Sequence, residues 1–174
     1  DIDFATSKGI IVMNTPHGNS ITTAEHTIAM IMSLARQIPD ANVSTKKGKW
    51  EKSKFVGTEI TGKKLGLIGC GNIGSIVVDR AKGLKMNVQV YDPFLTDDKS
   101  KELGIEKVSF EKLLGSSDII SIHTPLTDST RNIINSNNIY SIKKGAWIIN
   151  CARGGLIDEK ALSAVSYTHL RAHE

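Results

Sequence analysis

The sequence predicts an α/β domain, a doubly wound parallel sheet with helices on both faces. Three observations carry that prediction. From Lys64 onward, short apolar runs rich in β-branched residues alternate with stretches of helical spacing, the pattern of repeated βαβ units. The strand cores LGLI, IIS and WII are almost wholly apolar, as strands covered on both faces must be. A glycine-rich turn, Gly69-Cys70-Gly71-Asn72-Ile73-Gly74, follows the first of those strands and opens a helix.

The elements follow in order. Gly9 to Asn14 (GIIVMN) predicts a strand that stops at Thr15-Pro16. Ser20 to Gln37 predicts an amphipathic helix, because Ile21, Ala24, Ile28, Ile31, Met32 and Ala35 recur at spacings of three and four. Ser20 or Thr22 is its expected cap, Thr22 with Glu25 as a capping box, and Pro39 ends or bends it. Residues 40–62 are more polar and predict a shorter helix followed by an extended arm. Strands are then expected at Leu65–Gly69, Asn87–Asp92, Asp118–His123 and Ala146–Asn150. Helical segments are expected at Ile73–Leu84, Thr96–Leu103, Ser109–Leu114 and Ser136–Ile142, and helical spacing returns in Ile157, Ala161, Leu162 and Val165.

Composition narrows the class of function. The chain has 174 residues, 40% of them hydrophobic, enough for one domain with a real core. A net charge of +4 with 5% aromatics lacks the basic, aromatic-laced stripe of a nucleic-acid binder. The lysines between Lys46 and Lys64 fit either a solvated face or the attraction of an anionic substrate or cofactor. Cys70 and Cys151 stand 81 residues apart with no metal-ligand spacing around them, so neither a bound metal nor a disulfide framework is expected. No apolar run reaches membrane-spanning length and no signal peptide is visible, which makes a cytoplasmic location the expectation. The chain begins without Met, so its start is not expected to be the native one.

The glycine turn carries the chemistry. A GxGxxG alone is a weak signal, but here it sits between a strand and a helix, as a Rossmann-type dinucleotide site requires. Gly69 is expected to make the tight turn, Gly71 to let the backbone approach a pyrophosphate, and Gly74 to let the helix pack closely on the strand. The helix N-terminus supplies free N–H groups and a positive dipole end. Asp92 stands 18 residues beyond Gly74, at the end of the next strand. A carboxylate there accepts hydrogen bonds from ribose hydroxyls and repels the 2′-phosphate of NADP. NAD is therefore the predicted cofactor.

Three stretches then resemble a known family. LGLIGCGNIG with VYDP, SIHTPLTDSTRNII and GAWIINCARGGLIDEKAL occur in the order found in D-isomer-specific 2-hydroxyacid dehydrogenases. Upstream, NTPHGNSITTAEHTIAMIMSLARQIPDAN and GKWEKSKFVGTEITGK resemble the branch that acts on D-3-phosphoglycerate. The resemblance implies reversible hydride transfer between a 2-hydroxy acid and NAD. It implies that Arg153 holds the substrate carboxylate and carbonyl, a task suited to a planar, permanently charged fork. It implies that Asn72 and Ile73 contact the cofactor phosphates through backbone, that Thr124 and Pro125 lie near the adenosine, and that Cys151, Ala152 and Arg153 line the nicotinamide side. His123 matches the family's His-Thr-Pro segment rather than its catalytic histidine, so a structural or cofactor-lining role is expected. Lys52 stands where close relatives tend to carry arginine and is a candidate point charge for the substrate phosphate.

The same resemblance implies a division of the chain. Residues 1–16 are expected to be a remnant of the substrate domain, 17–62 a helical dimerisation arm, and 63–165 the Rossmann core. Residues 166–174, SYTHLRAHE, break the preceding pattern and resemble a translated cloning scar. The family's catalytic histidine and its acidic partner are expected beyond the chain, which alone should then not turn over substrate. A homodimer or higher homo-oligomer with a small-molecule substrate is expected. Alternatives stay open: another 2-hydroxyacid dehydrogenase of the glyoxylate/hydroxypyruvate reductase type, or a non-enzymatic NAD-binding corepressor of the same fold. An adenosylhomocysteine-hydrolase domain or a methyltransferase fits GCGNIG and NCARGG less well.

Overall fold

Four of the five strands form where the apolar runs predicted them. In the computed structural model, which describes residues 1–15 and 18–166, the five are β1 (Lys64–Ile68), β2 (Asn87–Tyr91), β3 (Glu106–Lys107), β4 (Ile119–Ile122) and β5 (Trp147–Asn150). All pair in parallel in the order β3-β2-β1-β4-β5. β3 was not anticipated; two exposed residues carry too little pattern to read.

The helices are α1 (Ile2–Ser7), α2 (Ser20–Arg36), α3 (Ile38–Lys46), α4 (Asn72–Gly83), α5 (Asp97–Leu103), α6 (Phe110–Ser116) and α7 (Glu159–Val165). Successive strand side chains point to opposite faces, so the sheet feeds two cores. Leu65, Leu67, Ile119, Trp147 and Ile149 join α2 and α4 on one face. Ile68, Ile120, Ile122 and, partly, Ile148 join α6 and α7 on the other. Each fully buried Leu or Ile contributes about 1.5–3 kcal/mol. Gly66 is where α6 comes closest: a Cβ there would collide with Ser117 and Leu113.

α2 packs through Ala24, Thr27, Ile31 and Ala35. The Thr27 hydroxyl is satisfied by the Thr23 carbonyl at 2.9 Å. Ile21 is 57% exposed instead of core-facing. Neither Ser20 nor Thr22 caps the helix: Asn19 is the N-cap and makes no side-chain cap bond, so the Thr22/Glu25 box does not form. Gln37 turns left-handed at φ 53° and ends α2. Pro39 then lies in the first turn of α3, where its missing N–H costs nothing. The arm that follows holds one short turn, Lys52–Lys54, and is tied back by the Thr58 N–H, which donates to the Ala35 carbonyl at 2.7 Å.

The expected strand at Gly9–Asn14 is absent. Residues 10–15 adopt no regular element, and Ile11 and Met13 are 82% and 87% exposed. An apolar β-branched run becomes a strand only where an open sheet edge accepts its hydrogen bonds, and this one pairs with neither β3 nor β5. Pro16, His17 and the expected non-native tail after Ser166 lie outside the described residues.

Candidate cofactor site

Every strand of a parallel sheet ends at the same edge, and that brings the candidate residues together. The chain leaves β1 toward β2 and β3, then returns to place β4 on the other side of β1. Ligands of open α/β sheets bind at such a switch point, outside the carboxyl ends of the strands. Gly69, Asp92, His123-Thr124-Pro125 and Cys151-Ala152-Arg153 follow β1, β2, β4 and β5 respectively.

The glycine turn is built as its spacing required. Gly69 has φ +95°, and a Cβ there would lie 2.9 Å from the His123 carbonyl and from Thr124 Cγ2. Its N–H donates to the Tyr91 carbonyl at 2.9 Å. Gly74 lies against the turn, with its Cβ position 2.6 Å from the Gly69 carbonyl oxygen. Gly71, by contrast, faces open space, with nothing within 4 Å of a Cβ. It is the N-cap of α4 and has no side chain to satisfy the first N–H groups, while Arg80 and Lys82 occupy the last turn. The exposed helix start therefore presents donors and a positive dipole end to an anion. Asn72 is exposed there and Ile73 half-buried.

Asp92 has a further task that the sequence did not announce. Its Oδ2 accepts from the Cys70 N–H at 2.7 Å and its Oδ1 from the Phe94 N–H at 2.8 Å. The carboxylate thus clamps the glycine turn while its remaining lone pairs face outward. Cys70 is inert: burial, then the Asp92 charge, pushes its thiol up to about 11.

At the end of β4, two buried polar atoms, His123 Nδ1 and Thr124 Oγ1, have no partner among the described residues. Unsatisfied buried groups cost about 1–3 kcal/mol each. They sit against Gly69 and fit a dinucleotide that supplies the missing bonds. His123 Nε2 lies 2.9 Å from the Ser121 hydroxyl, and burial lowers the imidazole pKa to about 4. Burial thus makes the ring a weak base, and its Nε2 is taken up by Ser121.

Beyond β5, Asn150 shapes the turn that carries Arg153. Its Oδ1 accepts from the Ala152 N–H at 3.1 Å and its Nδ2 donates to the Arg153 carbonyl at 2.9 Å. Sequence reasoning passed over Asn150; the signal was a lone amide ending an apolar strand, where Asn closes a turn on its own backbone. Cys151 and Ala152 are half-buried and Arg153 is exposed. The Arg153 guanidinium donates only to the Ala152 carbonyl, at 2.8 Å, and no carboxylate pairs with it among the described residues. Lys52 is exposed on the arm, and no hydrogen bond or ion pair joins it to this edge among the described residues. No group of three or more His, Cys, Asp or Glu there could hold a metal, and no helix there is long and apolar enough to cross a membrane.

Residues 28–171 match the profile described as D-isomer specific 2-hydroxyacid dehydrogenase, NAD binding domain. The chain belongs to that family. Among curated relatives it is 52% identical to D-3-phosphoglycerate dehydrogenase of Bacillus subtilis, over 93% of this chain and 31% of that protein. It is 47% identical to the enzyme of the same name from Archaeoglobus fulgidus, over 93% and 31% respectively. Among solved structures, D-lactate dehydrogenase from Escherichia coli superposes with a TM-score of 0.88 at 33% identity, covering 97% of this chain and 53% of that one. The chain therefore spans about a third of the length of the curated relatives it matches.

Proposed function

We propose that this chain is the cofactor-binding part of an NAD-dependent dehydrogenase that oxidises D-3-phosphoglycerate to 3-phosphohydroxypyruvate, the entry to serine biosynthesis. The observation that carries the proposal is the gathering of the glycine turn, Asp92 and Arg153 at one strand edge. Identity of 52% to an enzyme of that activity supports the choice of substrate over that of the D-lactate dehydrogenase, which is 33% identical.

NAD, when bound, would supply the hydride acceptor for oxidation at the carbinol carbon of the hydroxy acid. The chain's own residues prepare that transfer. The start of α4 holds the pyrophosphate, with Gly71 leaving room and Asn72 and Ile73 offering backbone N–H groups. Asp92 accepts from the adenosine ribose hydroxyls, while Thr124 and Pro125 border that end and Cys151 and Ala152 the nicotinamide end. Arg153 draws the substrate carboxylate into a bidentate contact and, through the Asn150 turn, fixes its height above the sheet. The hydroxyl proton does not go to His123, which is buried and bonded to Ser121.

The division of the chain belongs to the same proposal. Residues 1–16 come from the substrate domain and 17–62 form a dimerisation arm. Trp50 at 85% exposure, with Ile21, Met30, Ile38 and Val43 on the arm's helices, supports an apolar contact with a second copy. Lys52 acts as a point charge toward the substrate phosphate. A cytoplasmic location fits two free cysteines.

The test is kinetic. In the enzyme containing this segment, Arg153→Lys should lower kcat/KM for 3-phosphoglycerate by roughly 100-fold, the loss of about 2.7 kcal/mol of transition-state stabilisation. Normal turnover by the lysine variant would remove Arg153 from the substrate site. Faster turnover of D-lactate or glyoxylate than of the phosphorylated acid would reassign the substrate within the family.

A further inference from the structure

The amino edge of the sheet, opposite the cofactor turn, carries a cluster that the dehydrogenase chemistry does not use. Lys63 precedes β1, Asp118 precedes β4, and Lys143-Lys144-Gly145-Ala146 precedes β5. Parallel pairing sets these three strand starts side by side. With Thr58 and Trp147 they line one cleft of about 90 Å³. At about 30 Å³ per water, that is room for about three waters, or for one tetrahedral oxyanion.

The charge in the cleft is unbalanced. Asp118 is the only carboxylate among the described residues that line it, and each of its oxygens accepts a hydrogen bond. Its Oδ1 accepts from Lys143 Nζ at 2.7 Å and its Oδ2 from the Lys64 N–H at 2.8 Å. Burial works to raise the Asp118 pKa, but Lys143, the Lys64 amide and the nearby Lys63 charge outweigh it and hold the carboxyl below the usual range. Lys63 pulls on Asp118 through charge alone, with no hydrogen bond or ion pair between them, and Lys144 has no carboxylate partner among the described residues. The loop adds donors. The Ala146 N–H closes a turn onto the Lys143 carbonyl at 3.0 Å, Gly145 takes φ +79°, and the N–H groups of Lys144 and Gly145 have no acceptor among the described residues.

A second cleft, of about 220 Å³, adjoins the first, since Thr58 and Trp147 line both. Gln37 borders it, and Gln37 Oε1 is buried without a partner among the described residues. The larger cleft thus lies directly beside the smaller one, across Thr58 and Trp147, and offers space and an acceptor for a body larger than the anion itself.

We propose that this amino-edge cleft is a binding site for a phosphate-type oxyanion, held by Lys63, Lys144 and the Lys144–Gly145 amides. It is separate from the pyrophosphate site: β1 runs five residues between the two edges, about 16 Å at the usual strand rise.

The test is a titration of the whole chain at constant ionic strength, followed by amide and side-chain NMR. Inorganic phosphate is one arm and phosphoethanolamine the other. Saturable shifts at Lys144, Gly145 and Thr58, with separate behaviour at Gly71 and Asn72, are expected. Equal affinities in the two arms assign the site to free phosphate. Tighter phosphoethanolamine binding, with shifts at the Gln37 amide, assigns it to the head group of a larger molecule. The double variant Lys63→Gln/Lys144→Gln should weaken binding at this edge roughly tenfold or more, the equivalent of about 1.4 kcal/mol, while thermal stability and NADH affinity stay as in the wild type. A linear, non-saturating drift in both arms, or shifts confined to the glycine turn, would overturn the proposal. So would a double variant that folds and binds phosphate unchanged.

Discussion

Gly71 and Gly74 sit three residues apart in one motif, yet alanine should act on them in opposite ways. At Gly74 the added Cβ would lie 2.6 Å from the carbonyl oxygen of Gly69. That atom belongs to backbone already held by the Tyr91 carbonyl and pressed against His123, so it cannot swing aside as a side-chain end would. The start of α4 must retreat from the turn instead. Overpacking of this kind costs about 1–3 kcal/mol, and for a chain of this size a 2 kcal/mol loss lowers Tm by roughly 4–8 °C. Cofactor affinity should fall as well, because the helix start and the turn no longer share one geometry. At Gly71 nothing lies within 4 Å of the added Cβ. The stability cost is then limited to a poorer N-cap, at most about 1 kcal/mol. The methyl group nevertheless occupies the space that a pyrophosphate must enter, so NADH affinity should fall at least roughly tenfold. Differential scanning calorimetry and NADH titration on both variants separate the two effects. A Gly71→Ala protein that binds NADH normally, or a Gly74→Ala protein with wild-type Tm, would refute the account of the turn.

Three further outcomes are expected. Asp92→Ala removes the acceptor for the Cys70 and Phe94 amides as well as the proposed ribose contact, so NADH should bind about tenfold more weakly or worse. Its preference over NADPH should shrink with it; an unchanged NADH/NADPH ratio by calorimetry would contradict the role of the carboxylate. Asn150→Ala releases two bonds of the Arg153 turn and should cost about 1 kcal/mol in urea unfolding, with no loss of NADH affinity at the pyrophosphate end. His123 makes the fold acid-sensitive. It is held neutral with a pKa lowered from 6.5 to about 4 by burial, so below pH 6.5 the unfolded chain takes up a proton that the folded one refuses. Stability is intact above that pH and is lost as pH falls toward 4, by at most about 1.4 kcal/mol per unit. Urea midpoints at pH 7, 6 and 5 should fall in step, and His123→Gln should flatten the series; an equal slope in the variant would place the acid sensitivity elsewhere.

Most of the sheet was legible from residue patterns because its strands are buried on both faces. LGLI, IIS and WII have no polar alternative, and the residues that cap the following helices, Thr96, Ser109 and Asp158, are good cap formers that do accept cap bonds. GIIVMN shows where pattern alone fails. Its composition is that of a strand, but strand formation depends on a partner edge, and that information is not local. The α2 cap failed for a related reason: Thr22 and Glu25 have the right spacing, yet the helix begins earlier, at Asn19, with Ser20 already buried. At the cofactor edge, the glycines and Asp92 were visible because each is tied to a strand end. The clamp from Asp92 to Cys70 was not, since it joins residues 22 apart through a turn whose shape only Gly69 determines. Lys63 was read only as part of a basic stretch, and its juxtaposition with Lys144 was invisible for the same topological reason: the two are brought together only because β1, β4 and β5 run in parallel.

The central claim is that the carboxyl edge of this sheet is a site for NAD selected by Asp92. Isothermal titration of the wild-type chain with NADH and with NADPH under identical conditions tests it directly. The account predicts saturable NADH binding with NADPH weaker by roughly tenfold or more. Equal affinities, or heat from NADPH alone, would contradict it.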